Sequence, residues 1–412
     1  MAQIQPFRAW RPRPELAPQV ASPPYDVLSS EEARQQARGD ELTFLHVVKP
    51  EIDLPPNTPP HDPRIYAKGA ENLQRLCQQG ALVREETPAL YVYQQRMGEH
   101  VQAGLVAGAS IDEYEGGAIK KHEHTRPDKE DDRARHIDAL GANTGPVFLT
   151  YRATAEIDRR VDEIRSTAPT YDFTSPDEIQ HTLWVVREPS QIDALREAFA
   201  GVPHLYVADG HHRSAAATRV RAARRDANPD HRGDEPYNFF LAVIFPHDQM
   251  KILPYNRVVH DLGGLSNEAF RQKVDERFTL APTSQPAPDR PHCFGLYLAG
   301  RWERLTARPG TFLEAHPVAS LDAAILQNNL LAPVLGIEDP RRDKRIDFVG
   351  GIRGTGELER RCQSGSAAAF ALYPTRIEQL MQVADAGEVM PPKSTWFEPK
   401  LRSGLIVRSL EG

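Results

Sequence analysis

The hydrophobic pattern of the chain switches repeatedly between a period of two and a period near 3.6, which predicts strands and helices interleaved along its whole length. Ile65 to Gly80 places Ala67, Ala70, Leu73 and Leu76 on one side and ends in glycine, so it predicts a helix with Gly80 as its stop. Ala89–Gln95 and Val101–Ala109 predict paired strands turning near Met97-Gly98-Glu99. Pro146–Tyr151, Leu183–Val186 and the wholly apolar Phe239–Phe245 predict further strands, the last buried on both faces. Thr154–Ser166 and Ile192–Phe199 predict helices. Ser29 with Glu32 three residues on marks a capped helix start, and Thr43–Val48 alternates around His46 like a strand. Lys49–Pro63 predicts an extended loop, since its prolines cannot join a ladder. A strand is expected at Ile252–Val259, and the proline-rich Pro282–Pro291 predicts a linker. Beyond it, Leu321–Leu335, Glu357–Gln363 and Thr375–Ala386 predict helices alternating with strands at Ile346–Val349 and Ala367–Tyr373. The fold class expected is α/β, or a mixed α+β, with no bundle or sandwich character. Three parts are expected: a strand-rich mixed region at 1–155, a core at 156–262 and a C-terminal α/β domain at 263–412.

One junction stands out from this pattern. Leu205–Ala208 is a short strand-type run, Asp209-Gly210 breaks it, and from His211 the residues favour helix: Arg213, Ser214, three alanines, then Arg219 to Ala223. A strand that turns at glycine into a helix aims unpaired N–H groups and the positive end of the helix dipole at the turn, which suits an anion. Asp209 is placed at the carboxyl end of the strand, where α/β proteins put ligands. His211, His212 and Arg213 add donors in the first turn, the arginine as a two-pronged phosphate ligand. A plain helix cap is the alternative, and the run of polar residues favours the functional reading.

Two other stretches are dense in chemistry. Ile119–Arg133 holds Lys120, Lys121, His122, Glu123, His124, Thr125, Lys129, Glu130, Asp131 and Asp132. It reads as a solvated loop, as a metal site in which His122 and His124 share a strand face, or as an active-site loop supplying a base and phosphate-binding lysines. Met390–Lys400 carries Lys393, Ser394 and Thr395, but Pro392 stands where a P-loop needs a glycine N–H, so that motif is excluded. A proline-fixed loop remains, lining a pocket or covering the core. The arginines at 213–225 are spread around their helix, which favours a solvated helix over a nucleic-acid reader.

Composition narrows the class. A net charge of -7 argues against general nucleic-acid affinity, and three cysteines far apart exclude a disulfide or zinc-ribbon scaffold. No stretch has the length of a bilayer span and the N-terminus has no signal-type apolar run, so a cytoplasmic location is expected.

Six blocks in order, Pro23–Val27, Ile119–Glu123 with Thr125, Lys129–Arg133, Ala208–Arg213, Tyr255–Arg257 and Met390–Lys400, resemble the signatures of the Domain of Unknown Function 1015 family across essentially the whole chain. The Asp209-Gly-His-His-Arg213 box with its alanine-rich helix is also similar to the strand–turn–helix box of the ParB/sulfiredoxin-like superfamily, which includes free-serine kinases. That resemblance implies a ParB/sulfiredoxin-like core and a cradle for nucleotide phosphates. It implies a small-molecule phosphotransferase acting on free L-serine or O-phosphoserine, with a nucleotide or pyrophosphate as phosphate donor and Mg²⁺. Under it, Asp209 binds Mg²⁺ or acts as base, with Glu123 and Glu130 competing for the base role. Gly210, His211, His212, Arg213 and Ser214 hold phosphate, helped by Lys121, Lys129, Lys393, Ser394 and Thr395. The alternative is a nucleotide-gated protein, responding to CTP or ATP, that binds DNA or a partner; a non-catalytic scaffold is the third reading. The partners expected are small molecules, without membrane or nucleic acid, and a homodimer is left open.

Overall fold

The computed structural model describes residues 2–411, and the chain is a mixed α/β protein of two compact units, Met1–Met250 with Pro399–Gly412 and Lys251–Glu398. The first unit is built on a nine-stranded sheet. In chain order its strands are β1 (Ile4–Gln5), β2 (Leu90–Met97), β3 (His100–Ser110), β4 (Ile119–Lys120), β5 (Val147–Tyr151), β6 (Tyr171–Thr174), β7 (Gln180–Val186), β8 (Leu205–Asp209) and β9 (Phe239–Pro246). Their order across the sheet is β4-β8-β5-β9-β3-β2-β7-β6, with β1 added to β3. Most pairs are antiparallel; β4 with β8 and β5 with β9 are parallel. The β2–β3 hairpin closes at Met97 opposite His100, with Gly98 at positive φ where the expected turn lies.

All eight residues of β9 are buried, as an uninterrupted apolar run requires of a central strand. Phe240 and Ile244 enter a core with Leu105, Leu149, Leu195 and Val207, and each such side chain contributes about 1.5–3 kcal/mol on burial. Helices α1 (Pro63–Gln78), α2 (Pro127–Leu140), α3 (Ala155–Arg165), α4 (Pro189–Ala200) and α5 (His211–Ala227) cover this unit. The Ser29 cap forms a full capping box with Glu32.

Thr43–Val48 is not a strand. Leu45–Val48 forms one helical turn, with Phe44, Leu45, Val47 and Val48 buried, because six alternating residues fit either period and packing decides. Lys49–Pro63 is more ordered than the expected loop: Pro50–Asp53 is a 3₁₀ turn and Pro63 opens α1 behind the Asp62 cap.

The second unit carries a six-stranded sheet of β10 (Tyr255–Val259), β11 (Phe278–Pro282), β12 (Cys293–Leu298), β13 (Arg301–Ala307), β14 (Ile346–Gly350) and β15 (Ala368–Leu372), in the order β11-β13-β12-β15-β10-β14. Helices Gly356–Gln363 and Ile377–Asp385 lie where the pattern expects them, and Asp322–Leu335 is helical with a π stretch at Gln327–Leu331. Pro282–Pro291 is not an interdomain linker, since it joins two strands of this one sheet. Its prolines fix it so closely on β12 that a Cβ at Gly295 would stand 2.1 Å from the Pro286 carbonyl oxygen.

The observed units differ from the expected three-part division. A boundary at 155 cuts the nine-stranded sheet, whose strands come from both sides of it, and one at 262 falls inside the second unit. The last residues rejoin the first unit: Val407–Ser409 pairs with Ala9–Pro12 and Ala142–Asn143, and buried Arg408 donates to the Phe239 carbonyl at 2.8 Å and to Gln5 at 3.0 Å.

Candidate functional site

Strands β4 and β8 run parallel with Ile119 opposite Leu205, so their carboxyl ends emerge side by side. Each leads into a helix, β4 through Lys121–Arg126 into α2 and β8 directly through Gly210 into α5. The junction read from the sequence is therefore present, with Gly210 at φ 100° and ψ 26°. Only glycine adopts that conformation at low cost, and an added Cβ would lie 3.4 Å from Val147 Cα. Neither α5 nor α2 has a side-chain cap on its first amides. The amides of Arg213 and Ser214 return to the Gly210 carbonyl at 2.9 and 3.0 Å, so the cradle is shorter than the expected Gly210–Arg213 stretch.

Around the turn stand most of the expected residues. Asp209 pairs with Lys400 at 3.0 Å, with about a third of its side chain exposed. Burial works to raise the Asp209 carboxyl, but Lys400 and Arg213 outweigh it and hold it far below the usual carboxylate range. Arg213 is 8% exposed; its guanidinium donates to the Pro146 carbonyl and to Asp26 at 3.2 Å and lies over the Tyr25 ring. Burial opposes its charge, while Asp26, Asp209 and Tyr25 favour it and prevail. Both terminal nitrogens are thus engaged within the protein. Arg213 acts first as a tie that fixes the turn, not as the open two-pronged phosphate ligand expected.

Ser214 is fully buried and its hydroxyl donates to the His211 carbonyl at 3.0 Å, inside its own helix. His212 Nε2 accepts the Arg126 amide at 3.1 Å and so links the starts of the two helices. Glu130 accepts the Thr125 hydroxyl and stands 3.7 Å from Arg219. Lys121 is exposed with its Nζ 4.0 Å from the Tyr114 ring centroid, and burial lowers its ammonium below the usual value. Lys129 is exposed in the first turn of α2. The arginines of α5 meet acids on neighbouring elements: Arg219 with Asp131, Arg221 with Asp112 and Glu115, Arg224 with Asp138.

The expected pairing of His122 with His124 does not form. The strand ends at Lys120, so the alternation needed to put both on one face is lost; His122 is buried and His124 exposed. His122 meets His211 instead, edge to face with ring centroids 4.5 Å apart, and His211 Nδ1 lies 3.9 Å from a Glu123 carboxylate oxygen. Neither nitrogen of His122 and not Nε2 of His211 makes a hydrogen bond of ordinary geometry. Burial holds His122 at about 4 and, with His122 beside it, drives His211 well below its usual value.

Lys393, Ser394 and Thr395 belong to the second unit. There Lys393 has φ 59° and a Nζ 5.6 Å from the Tyr255 ring centroid, and Arg257 donates to the Pro392 and Lys393 carbonyls at 3.2 and 3.0 Å. Ser394 donates to Pro391 at 2.7 Å and its carbonyl accepts Thr375 at 2.8 Å. These bonds fix the loop, as its prolines imply. Behind Arg213 a cavity of about 30 Å³ is lined by Tyr25, Arg133, His136 and Gly145, room for a water and not for a substrate.

The partners of Tyr25, Asp26, His122 and Lys400 around the turn were missed. Asp26 was visible as a polar residue after Pro23-Pro24, but Lys400 lies 191 residues from Asp209 and no local spacing announces their pairing.

The buried neutral histidines imply an acid-labile fold. Burial holds His136 at about 4, and burial together with Arg402 holds His181 at about 3. His122, His136, His181 and His211 all have folded values below the unfolded value of about 6.5, so the unfolded chain binds more protons below that pH. Stability therefore falls as pH drops from about 6.5 toward 4, each histidine adding up to about 1.4 kcal/mol per pH unit. His46, raised by its bond to Asp53 against some burial, opposes them singly. Urea midpoints should fall steadily from pH 7 to pH 5; equal midpoints would show that these histidines accept protons in the folded state.

The turn, the starts of two helices and a set of acids and bases thus sit together at the parallel ends of β4 and β8 in a mixed α/β unit. The chain belongs to the family described as Protein of unknown function (DUF1015), which matches residues 4–324. No curated protein matches it. Among solved structures it is similar to a free serine kinase in complex with AMP, at 12% identity, 74% of this chain, 91% of that chain and TM-score 0.37. It is also similar to SbnI with a C-terminal truncation from Staphylococcus aureus, at 13% identity, 74% and 87% coverage and TM-score 0.40. A conserved hypothetical protein from Pyrococcus furiosus is similar at 13% identity, 73% and 95% coverage and TM-score 0.34. Among the described residues no helix is long and apolar enough to cross a membrane.

Proposed function

We propose that the cleft carries out phosphoryl transfer on a small hydroxylated amino acid, with free L-serine or O-phosphoserine as substrate and a nucleotide or pyrophosphate as the other reactant. The observation that carries this reading is the Asp209–Gly210 turn. An ionised carboxylate, held by Lys400 at 3.0 Å, stands beside the uncapped start of a seventeen-residue helix. Such a start stabilises phosphate through its amides and dipole. The serine identity comes from the resemblance of the Asp209–Arg213 box and is the finer part of the proposal.

In the forward direction the serine hydroxyl oxygen attacks the terminal phosphorus of the donor. An O–P bond forms, the P–O bond to the leaving phosphate or nucleotide breaks, and the hydroxyl proton passes to a carboxylate. Asp209 is the weakest base of the three candidates because its neighbours hold it so acidic. That leaves Glu123, about two-fifths exposed, or Glu130, oriented by Thr125. The Asp209 role is charge: it fixes Lys400 at the phosphate and offers one hard oxygen ligand. Mg²⁺ takes one or two carboxylates and fills its shell from phosphates and water, so Asp209 fits it once phosphate is present. When bound, the ion offsets charge on the transferring group.

The reading is tested by incubating the purified full-length protein with Mg²⁺, serine and each of ATP, ADP, CTP and pyrophosphate, and separately with phosphoserine. Phosphoserine formation, or its donor-dependent loss, is expected; inertness in every combination would overturn the proposal.

A further inference from the structure

We infer that His122, Glu123 and His211 form a binding site for a borderline divalent transition-metal ion of the Zn²⁺, Fe²⁺ or Co²⁺ class. The site is separate from the hard-cation role of Asp209. One ligand atom from each of the three lies within 4.8 Å of the others. His122 and His211 are 2% and 4% exposed.

Two buried imidazoles at right angles, with three ring nitrogens making no hydrogen bond of ordinary geometry, are an expensive arrangement unless something fills the space between them. The chemistry of the donors says what. Imidazole nitrogen prefers first-row transition ions to Mg²⁺, and two histidines with one carboxylate are an established set for such ions. Donors about 2.0–2.1 Å from a tetrahedral ion sit roughly 3.3 Å apart, so the pairs need to close by no more than about 1.5 Å. Rotation of Glu123, whose side chain is 39% exposed, supplies much of that movement.

The local fold explains why these three converge. His122 and Glu123 follow β4 and His211 follows β8, and the parallel pairing of the two strands brings their carboxyl ends side by side. Three protein ligands leave a coordination position open toward the cleft, the pattern of a reactive site and not a structural one. With an ion bound, Glu123 is a ligand and Glu130 is left as the proton acceptor. The inference does not require phosphoryl transfer, because the ion is measured directly.

The test is a titration of the chelator-stripped full-length protein with Co²⁺, read by visible absorption, followed by displacement with Zn²⁺ and a count of bound metal. Saturation by one ion per chain is expected, with a ligand-field spectrum of imidazole and carboxylate donors. His122→Ala and Glu123→Gln should each weaken binding by at least about tenfold, the smallest loss usual even for residues that only support a ligand. His124→Ala, an exposed neighbour outside the three, should leave it unchanged. Glu123→Gln is the variant least able to disturb folding, since its side chain is partly exposed. The inference is overturned if the parent protein shows no saturable Co²⁺ or Zn²⁺ binding. It is equally overturned if folded His122→Ala or Glu123→Gln binds as the parent does.

Discussion

Asp209→Asn is expected to lower phosphoryl transfer by about 10²–10³-fold while the protein stays folded. The substitution keeps the shape and removes the charge that holds Lys400 at the turn and offsets Arg213. Lys400 is 20% exposed and Asp209 32%, so water takes over much of what each loses, and stability changes by about 1 kcal/mol or less. The check is kcat/KM against the melting temperature of the same preparation. Activity within a few-fold of the parent would remove Asp209 from the chemistry. A loss matched by unfolding would make its role structural.

Arg213→Ala has the opposite signature, a loss of stability by about 2–4 kcal/mol. Removing this side chain strands the Pro146 carbonyl, leaves Asp26 without its partner and empties space beside Tyr25. The figure lies below the full cost of breaking a buried pair because Asp26 is 39% exposed. Arg213→Lys restores little, since a single ammonium cannot reach both acceptors in the plane the guanidinium spans. Urea denaturation of the two variants measures this. A change below about 1 kcal/mol in Arg213→Ala would mean that the turn is fixed by other contacts.

What the sequence made legible was local. Leu205–Asp209 and His211–Ala227 could be read because strand, glycine and helix succeed one another without a gap, and each signal depends on neighbouring residues. The capping box at Ser29 and the hairpin at Gly98 belong to the same category. What was hidden depends on contacts between segments far apart in the chain. Asp26 reaches Arg213 over 187 residues and Lys400 reaches Asp209 over 191, and no periodicity encodes either. His122 was noticed for the wrong neighbour: in the sequence it stands beside His124, while the end of β4 at Lys120 and the parallel pairing with β8 bring it to His211. Short apolar runs and proline clusters misled for a related reason. Leu45–Val48 and Pro282–Pro291 owe their state to what they pack on, a buried cluster in one case and β12 in the other.

The central claim is that the Asp209–Gly210 turn holds the phosphate of the substrate or donor. Its most direct measurement is a crystal structure of the full-length protein grown with Mg²⁺ and pyrophosphate or ADP. Phosphate oxygens are expected about 2.7–3.2 Å from the first amides of the helix that begins at His211, with Lys400 close by. Phosphate bound elsewhere, with this turn holding only water, would contradict it.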